Sequence, residues 1–157
     1  MMSRVKMGLI AGLAATIAVS ILEVANIVLG PWAVSFPRLL SVMLQTPDVM
    51  AVGWVAHFIV GALVLGPAFG VLCPKLPTDT PESKGILFAV GAFILMSLTV
   101  APLANVGMFF MRAGFGTLAW MIATHAVFGI VLGNAYARMV ERERRRGHDV
   151  IHGAPAH

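Results

Sequence analysis

Apolar residues run almost unbroken along four stretches of the chain. No charged residue falls within 49–74, 85–111 or 113–137, and Glu23 alone interrupts 7–37. About 20 helical residues cross the ~30 Å hydrocarbon layer of a bilayer, so an apolar run of about 18 or more reads as a span. The pattern predicts four, at about 7–30, 49–72, 85–106 and 117–138. Backbone groups in lipid must satisfy each other, and runs this long lack the alternation of barrel strands, so helices are expected. The expected fold is all-α: a polytopic four-helix transmembrane bundle over 1–146, then a mobile cytoplasmic tail over 147–157.

The connections are punctuated by turn and helix-start residues. In 31–48, Pro37 suits a first helical turn, and Leu39, Leu40, Val42, Met43 and Leu44 follow, which predicts a short helix lying in the membrane interface. Gly107 to Gly116 is rich in Gly, Met and Phe and must hug the surface or tuck into the bundle. Pro74, Pro77 and Pro81 make 74–83 a stiff polar turn. The last helix is expected to run on through Arg146, with Glu141 and Arg145 four apart, and to stop at Gly147.

Charge orients these elements. Arg4, Lys6, Lys75, Lys84, Arg138, Arg142, Arg144, Arg145 and Arg146 lie on one side of the spans, and only Arg38 and Arg112 on the other. The positive-inside rule then predicts cytoplasmic termini. Trp32, Trp54 and Trp120 fall near the opposite, outer ends, where an indole belt is expected. The opening stretch resembles a leader peptide only in outline, since its apolar run continues past Glu23, and a retained first span is expected.

Composition sharpens the class. Of 157 residues, 59% are apolar and 11% charged, with mean hydropathy +0.89. An ordinary soluble domain carries about 25% charge, so that class is excluded, as are disordered chains and nucleic-acid-binding domains. The basic pI near 10.0 points to anionic lipid headgroups at the cytoplasmic rim. Cys73 is the single cysteine, so no disulfide can close within the chain.

Two internal features bear on packing. Gly8, Ser20 and Ala25-Asn26 are echoed 77 to 79 residues on by Gly85, Ser97 and Ala104-Asn105. His57-x-x-x-Gly61 is echoed by His125-x-x-x-Gly129, 68 residues on, so two pseudo-repeated hairpins are expected. Gly8-x-x-x-Gly12, Gly66-x-x-x-Gly70 and Gly129-x-x-x-Gly133 mark faces where helix backbones approach closely.

Ionisable groups inside a membrane are costly and face the bundle interior. Three occur here: Glu23, His57 and His125. Each histidine stands eight residues into its span, about 12 Å deep, and Glu23 stands about 10 Å below the same boundary, by the helical rise. The spacing of each histidine from its following glycine turns both imidazoles inward. Four readings are compatible with this cluster. The groups bond one another as structural glue, with Asn26 and Asn105 above them. Alternatively, His57 and His125 ligate a b-type haem, Gly53 and Gly61 admit the macrocycle, Arg38 and Arg112 meet its propionates, and Glu23 accepts from one imidazole. A third is a metal site of His57, His125 and Glu23. The fourth is quinone or proton handling by the same groups.

The opening Gly8-Leu-Ile-Ala-Gly-Leu-Ala-Ala-Thr16, the four-span layout and the short cytoplasmic turn resemble small uncharacterised bacterial inner-membrane proteins. The resemblance implies a four-helix membrane bundle in that membrane and carries over no functional residue. No nucleophile triad, phosphate loop or haem-attachment motif is present in the sequence. The expected function is therefore that of a non-catalytic structural or accessory subunit, beside a membrane-protein partner or in a homo-oligomer. The alternative is a b-haem electron-transfer protein.

Overall fold

A computed structural model describes residues 2–152, with side chains to Arg146. All the regular structure among these residues is helical. Helix α1 covers Arg4–Val28. Its start is capped by Ser3, whose hydroxyl accepts from the Lys6 N–H at 3.3 Å. It ends at Leu29, where Gly30 takes a φ of 109° ahead of Pro31.

Helix α2, Phe36–Met43, has Pro37 in its first turn, as expected. Pro37, Leu39, Leu40 and Ser41 are buried, so this face meets protein.

The second span, Met50–Lys75, is not one uniform helix. It comprises α3 (Met50–Phe58), a π-helical stretch (Ile59–Leu65), α4 (Gly66–Leu72) and a 3₁₀ turn, Cys73–Lys75. Pro67 is the local cause. It cannot donate to the carbonyl four residues back and its ring crowds that group. The wider π turn accommodates this, with the Gly66 N–H donating to the Gly61 carbonyl five residues earlier.

The third span, Pro81–Leu103, comprises α5 (Pro81–Leu98) and the short α6 (Val100–Leu103). Thr80 caps α5 by accepting from the Ser83 N–H. Pro102 would crowd the carbonyl of Leu98, and the break falls at Thr99, with φ −118° and ψ −70°. The following loop tucks inward. Phe110 is fully buried although its φ is 61°, so the burial of its ring offsets a backbone conformation that L residues avoid.

Helix α7 runs from Phe115 to His152. It passes Gly147, where the sequence predicted a stop. A glycine inside a helix costs only about 1 kcal/mol, which the preceding turns outweigh. The rest of the expected tail, 153–157, lies outside the described residues.

The spans pack in the lateral order two, one, four, three. Helix α1 contacts both α4 and α7, while α5 packs on α7. The first span, with a neighbour on each side, is the most buried, at 44% of its most apolar 18 residues against 22% for the third. The outward surface of the spans is apolar and suits lipid, as Ile21 of the first, Leu63 of the second and Leu95 of the third illustrate at 66%, 56% and 63% exposure.

Glycine seams close each hairpin. A Cβ on Gly12 would stand 2.6 Å from the Gly66 Cα, and one on Gly129 would stand 2.6 Å from the Gly85 carbonyl oxygen. Gly8 likewise meets Gly66 and Gly70. In these seams Gly66 and Gly70 occupy the places of Gly129 and Gly133, an offset of 63 residues. That differs from the 68 read from the histidine motifs, because five more residues separate His57 from its seam glycine.

Candidate functional site

One face of α1 carries several of the polar groups of the interior. Thr16, Ser20, Glu23 and Asn26 recur at steps of four, three and three, and so align along the helix. Thr16, Glu23 and Asn26 are fully buried. The hydroxyls of Thr16 and Ser20 donate to the carbonyls of Gly12 and Thr16, each at 2.7 Å. Ser20 has thereby spent its proton, so its oxygen accepts from the Nε2–H of His57, 3.1 Å away. This selects the His57 tautomer and leaves its Nδ1 buried without a partner. Edges and faces of Phe36, Trp54 and Phe58 surround the imidazole at centroid distances of 5.7 Å.

His125 is held from its own helix. Its Nδ1–H donates to the Met121 carbonyl at 2.7 Å, which leaves Nε2 as an acceptor. Phe93 lies edge-on to its ring at 5.5 Å.

Glu23 bonds neither imidazole. Its Oε1 accepts from the indole N–H of Trp120 at 3.2 Å, and its Oε2 is buried and unpartnered. The expectation that Glu23 accepts from a histidine is therefore corrected. Trp120 comes one turn after the start of α7, and its ring also meets Trp32 at 5.6 Å. Trp120 and Trp54, read from the sequence as belt residues, also contact the interior groups.

Glu23, His57 and His125 border one cavity of about 190 Å³. It lies where the two apolar cores meet, bordered by Val19 and Phe128 from one and Met96 from the other. Phe36, Leu40 and Met43 of α2 roof it. Helix α2 thus does more than rest on the surface, and also touches α6. Val60, Gly61 and Leu65 come from the second span, and Ala92 and Leu95 from the third. These two spans meet through Phe69 and Phe88, whose ring centroids lie 5.3 Å apart, and share little other contact, so the cavity lies between them.

The other expected site residues lie elsewhere. Arg38 is exposed and donates to the Pro47 carbonyl. Arg112 is exposed in the loop after the third span. Neither borders the cavity. Asn26 donates to the Ala33 carbonyl at 2.9 Å, while Asn105 is an exposed turn residue with φ 62°. Among the described residues, no three His, Cys, Asp or Glu side chains form a group able to hold a metal ion, so Glu23, His57 and His125 do not make the expected ligand set. Gly53 and Gly61 are also filled differently from expectation. A Cβ on Gly53 would strike the Pro37 carbonyl, and one on Gly61 the Thr16 hydroxyl. These glycines admit neighbouring helices and leave no slot for a macrocycle. The cavity is also smaller than the roughly 300–1,000 Å³ of ordinary small-molecule sites, so a haem does not fit the arrangement as it stands.

Four apolar helices long enough to cross a membrane, with their few polar groups gathered inside, define a multi-pass helical membrane protein. The chain belongs to a family of unknown function (DUF6789), whose model matches residues 2–147. Comparison with curated proteins and with solved structures gives no match.

Proposed function

We propose that the chain is a non-catalytic accessory protein of the bacterial inner membrane whose working part is the cavity, where it takes up a small lipid-soluble molecule for a larger membrane assembly. One observation carries this reading: the three ionisable groups of the spans border a single apolar cavity lying between the second and third spans. An intramembrane ionisable group is costly to retain, so its placement at a cavity wall points to binding. In this reading both termini are cytoplasmic, and Arg138, Arg142, Arg144, Arg145 and Arg146 meet anionic headgroups.

The test is purification from native membranes in a mild detergent, followed by native mass spectrometry. A small molecule should leave the wild-type protein on activation, and a stable protein partner should accompany it. Ala92→Phe, which places a ring at the cavity wall, should remove the small molecule. Retention of the same molecule by that variant, or purification of a bare monomer, overturns the reading.

The b-haem alternative has one feature in its favour, the Nδ1–H of His125 tied to a carbonyl as in many metal-ligating histidines. The volume of the cavity and the donation from His57 Nε2–H to Ser20 oppose it. A visible spectrum separates the two. The cavity reading expects no Soret band after haem-supplemented expression, whereas a band lost in both His57→Ala and His125→Ala would establish haem.

A further inference from the structure

We propose that the cavity selects a single-ring amphiphile presenting hydroxyl donors, of the tailed hydroquinone type, over the same ring presenting only acceptors, as its quinone does. This rests on the reading of the cavity as a binding site and adds the chemical class of its ligand.

The polarity of the wall follows from where each proton is already spent. His57 gives its Nε2–H to Ser20, and its Nδ1 is left as an acceptor on a ring only 5% exposed. His125 gives its Nδ1–H to Met121, and its Nε2 is left as an acceptor. Thr124 donates to the Trp120 and Met121 carbonyls at 3.0 and 3.2 Å. Thr99 donates to the Leu95 carbonyl at 2.7 Å. Both threonines line the cavity, and both have used their single proton. Glu23 accepts from Trp120 through Oε1, and its Oε2, on a fully buried side chain, has no partner. That oxygen is thus open to a ligand.

The two imidazoles and the two threonines of the lining therefore present acceptors to the cavity and no free proton. Buried polar atoms are ordinarily paired, and the orphaned Glu23 Oε2 and His57 Nδ1 mark bonds that a ligand can complete. The lone pair on His57 Nδ1 can be completed only by a ligand that brings a donor. A hydroquinone brings two hydroxyls, whereas a quinone brings two carbonyls that would face lone pairs.

Size and access agree. A dry cavity of about 150 Å³ holds benzene, so about 190 Å³ admits one substituted ring. Phe36 and Phe128 supply aromatic walls. The gap between the second and third spans, beside Val60, Leu65, Ala92 and Leu95, lets an alkyl tail reach lipid while the ring stays inside.

The experiment uses the full chain in nanodiscs of phosphatidylethanolamine and phosphatidylglycerol, with binding followed by scintillation proximity. The probes are a tritiated decyl-hydroquinone kept reduced under argon, its quinone and its dimethyl ether. The hydroquinone should bind at least about tenfold tighter than either, because a site built for a hydroxyl rejects analogues lacking it. Ala92→Phe should abolish binding. Glu23→Gln keeps an oxygen for the Trp120 N–H and puts an amide donor at the Oε2 position, so it should narrow the preference by raising quinone affinity. Circular dichroism and a monodisperse elution profile confirm that each variant is folded. Equal affinity for all three probes, lost in Ala92→Phe, overturns the donor preference and leaves the binding site standing. No binding of any probe, with another molecule released from the purified protein, overturns the ring-and-hydroxyl class alone. No binding and no released molecule overturn both.

Discussion

Trp120 and Glu23 form a pair in which each partner answers the other's need. A buried carboxylate oxygen without a donor is costly, and a buried indole N–H without an acceptor is nearly so. Trp120→Phe removes the donor and leaves Oε1 as bare as Oε2. The expected cost is about 1–3 kcal/mol, the usual penalty for orphaning a buried polar partner. Adding Glu23→Leu to that variant should recover much of the loss, since both partners are then apolar. Unfolding in mixed micelles of rising dodecyl sulfate content, followed by circular dichroism, measures both steps. A Trp120→Phe midpoint equal to wild type would show that the bond contributes nothing. Glu23 and Asn26 were singled out in the sequence, whereas Thr16 and Ser20 were not placed with them, although steps of four, three and three put all four on one helix face. The indole was not legible, because nothing in a linear string tells which N–H lies beside a carboxylate 97 residues away.

Small residues set the distances between elements, and two glycines of α5 separate packing from mere composition. Gly85 lies against the backbone of Gly129 and Gly133, while nothing stands within 4 Å of a Cβ at Gly91. Gly85→Ala should destabilise by about 1–3 kcal/mol through overpacking. Gly91→Ala should be neutral or stabilise by up to about 1 kcal/mol, since alanine is the better helix former. The same micelle titration compares them. A loss as large at Gly91 as at Gly85 would contradict the seam. Gly8-x-x-x-Gly12 and its counterparts were recognisable as contact faces, and the structure supplies their partners. The π stretch and the break at Thr99 follow from Pro67 and Pro102, both visible in advance, yet their shape depends on what each helix packs against.

At the scale of the molecule, the lateral order of the spans decides which residues meet lipid. The first and fourth spans hold the centre, so Ala15 is fully buried, while Leu95 on the third is 63% exposed. In a Cys73→Ser background, a cysteine at Leu95 should react readily with a lipid-soluble maleimide in nanodiscs, and one at Ala15 should not. Mass spectrometry of the labelled protein reads the outcome, and equal labelling at both sites would refute the order. The same order leaves the second and third spans with little contact beyond Phe69 and Phe88, and the cavity lies between them. Helix α2 roofs that space through Phe36, Leu40 and Met43. The sequence predicted the helix itself, but its apolar side was equally suited to the membrane interface.

Taken alone, the sequence determined the class, the number of spans, their approximate ends and the three ionisable groups within them. Those follow from local physics, because transfer of a helical segment into lipid depends on its own composition and length. Only the tertiary structure decided what the ionisable groups touch. It put Trp120 on Glu23, Ser20 on His57, neighbouring helices against Gly53 and Gly61, and Arg38 and Arg112 away from the cavity. Helix–helix contacts in lipid lack a hydrophobic drive and are chosen by close fit and hydrogen bonds. Fit is a property of surfaces brought together, and it cannot be read from either surface separately.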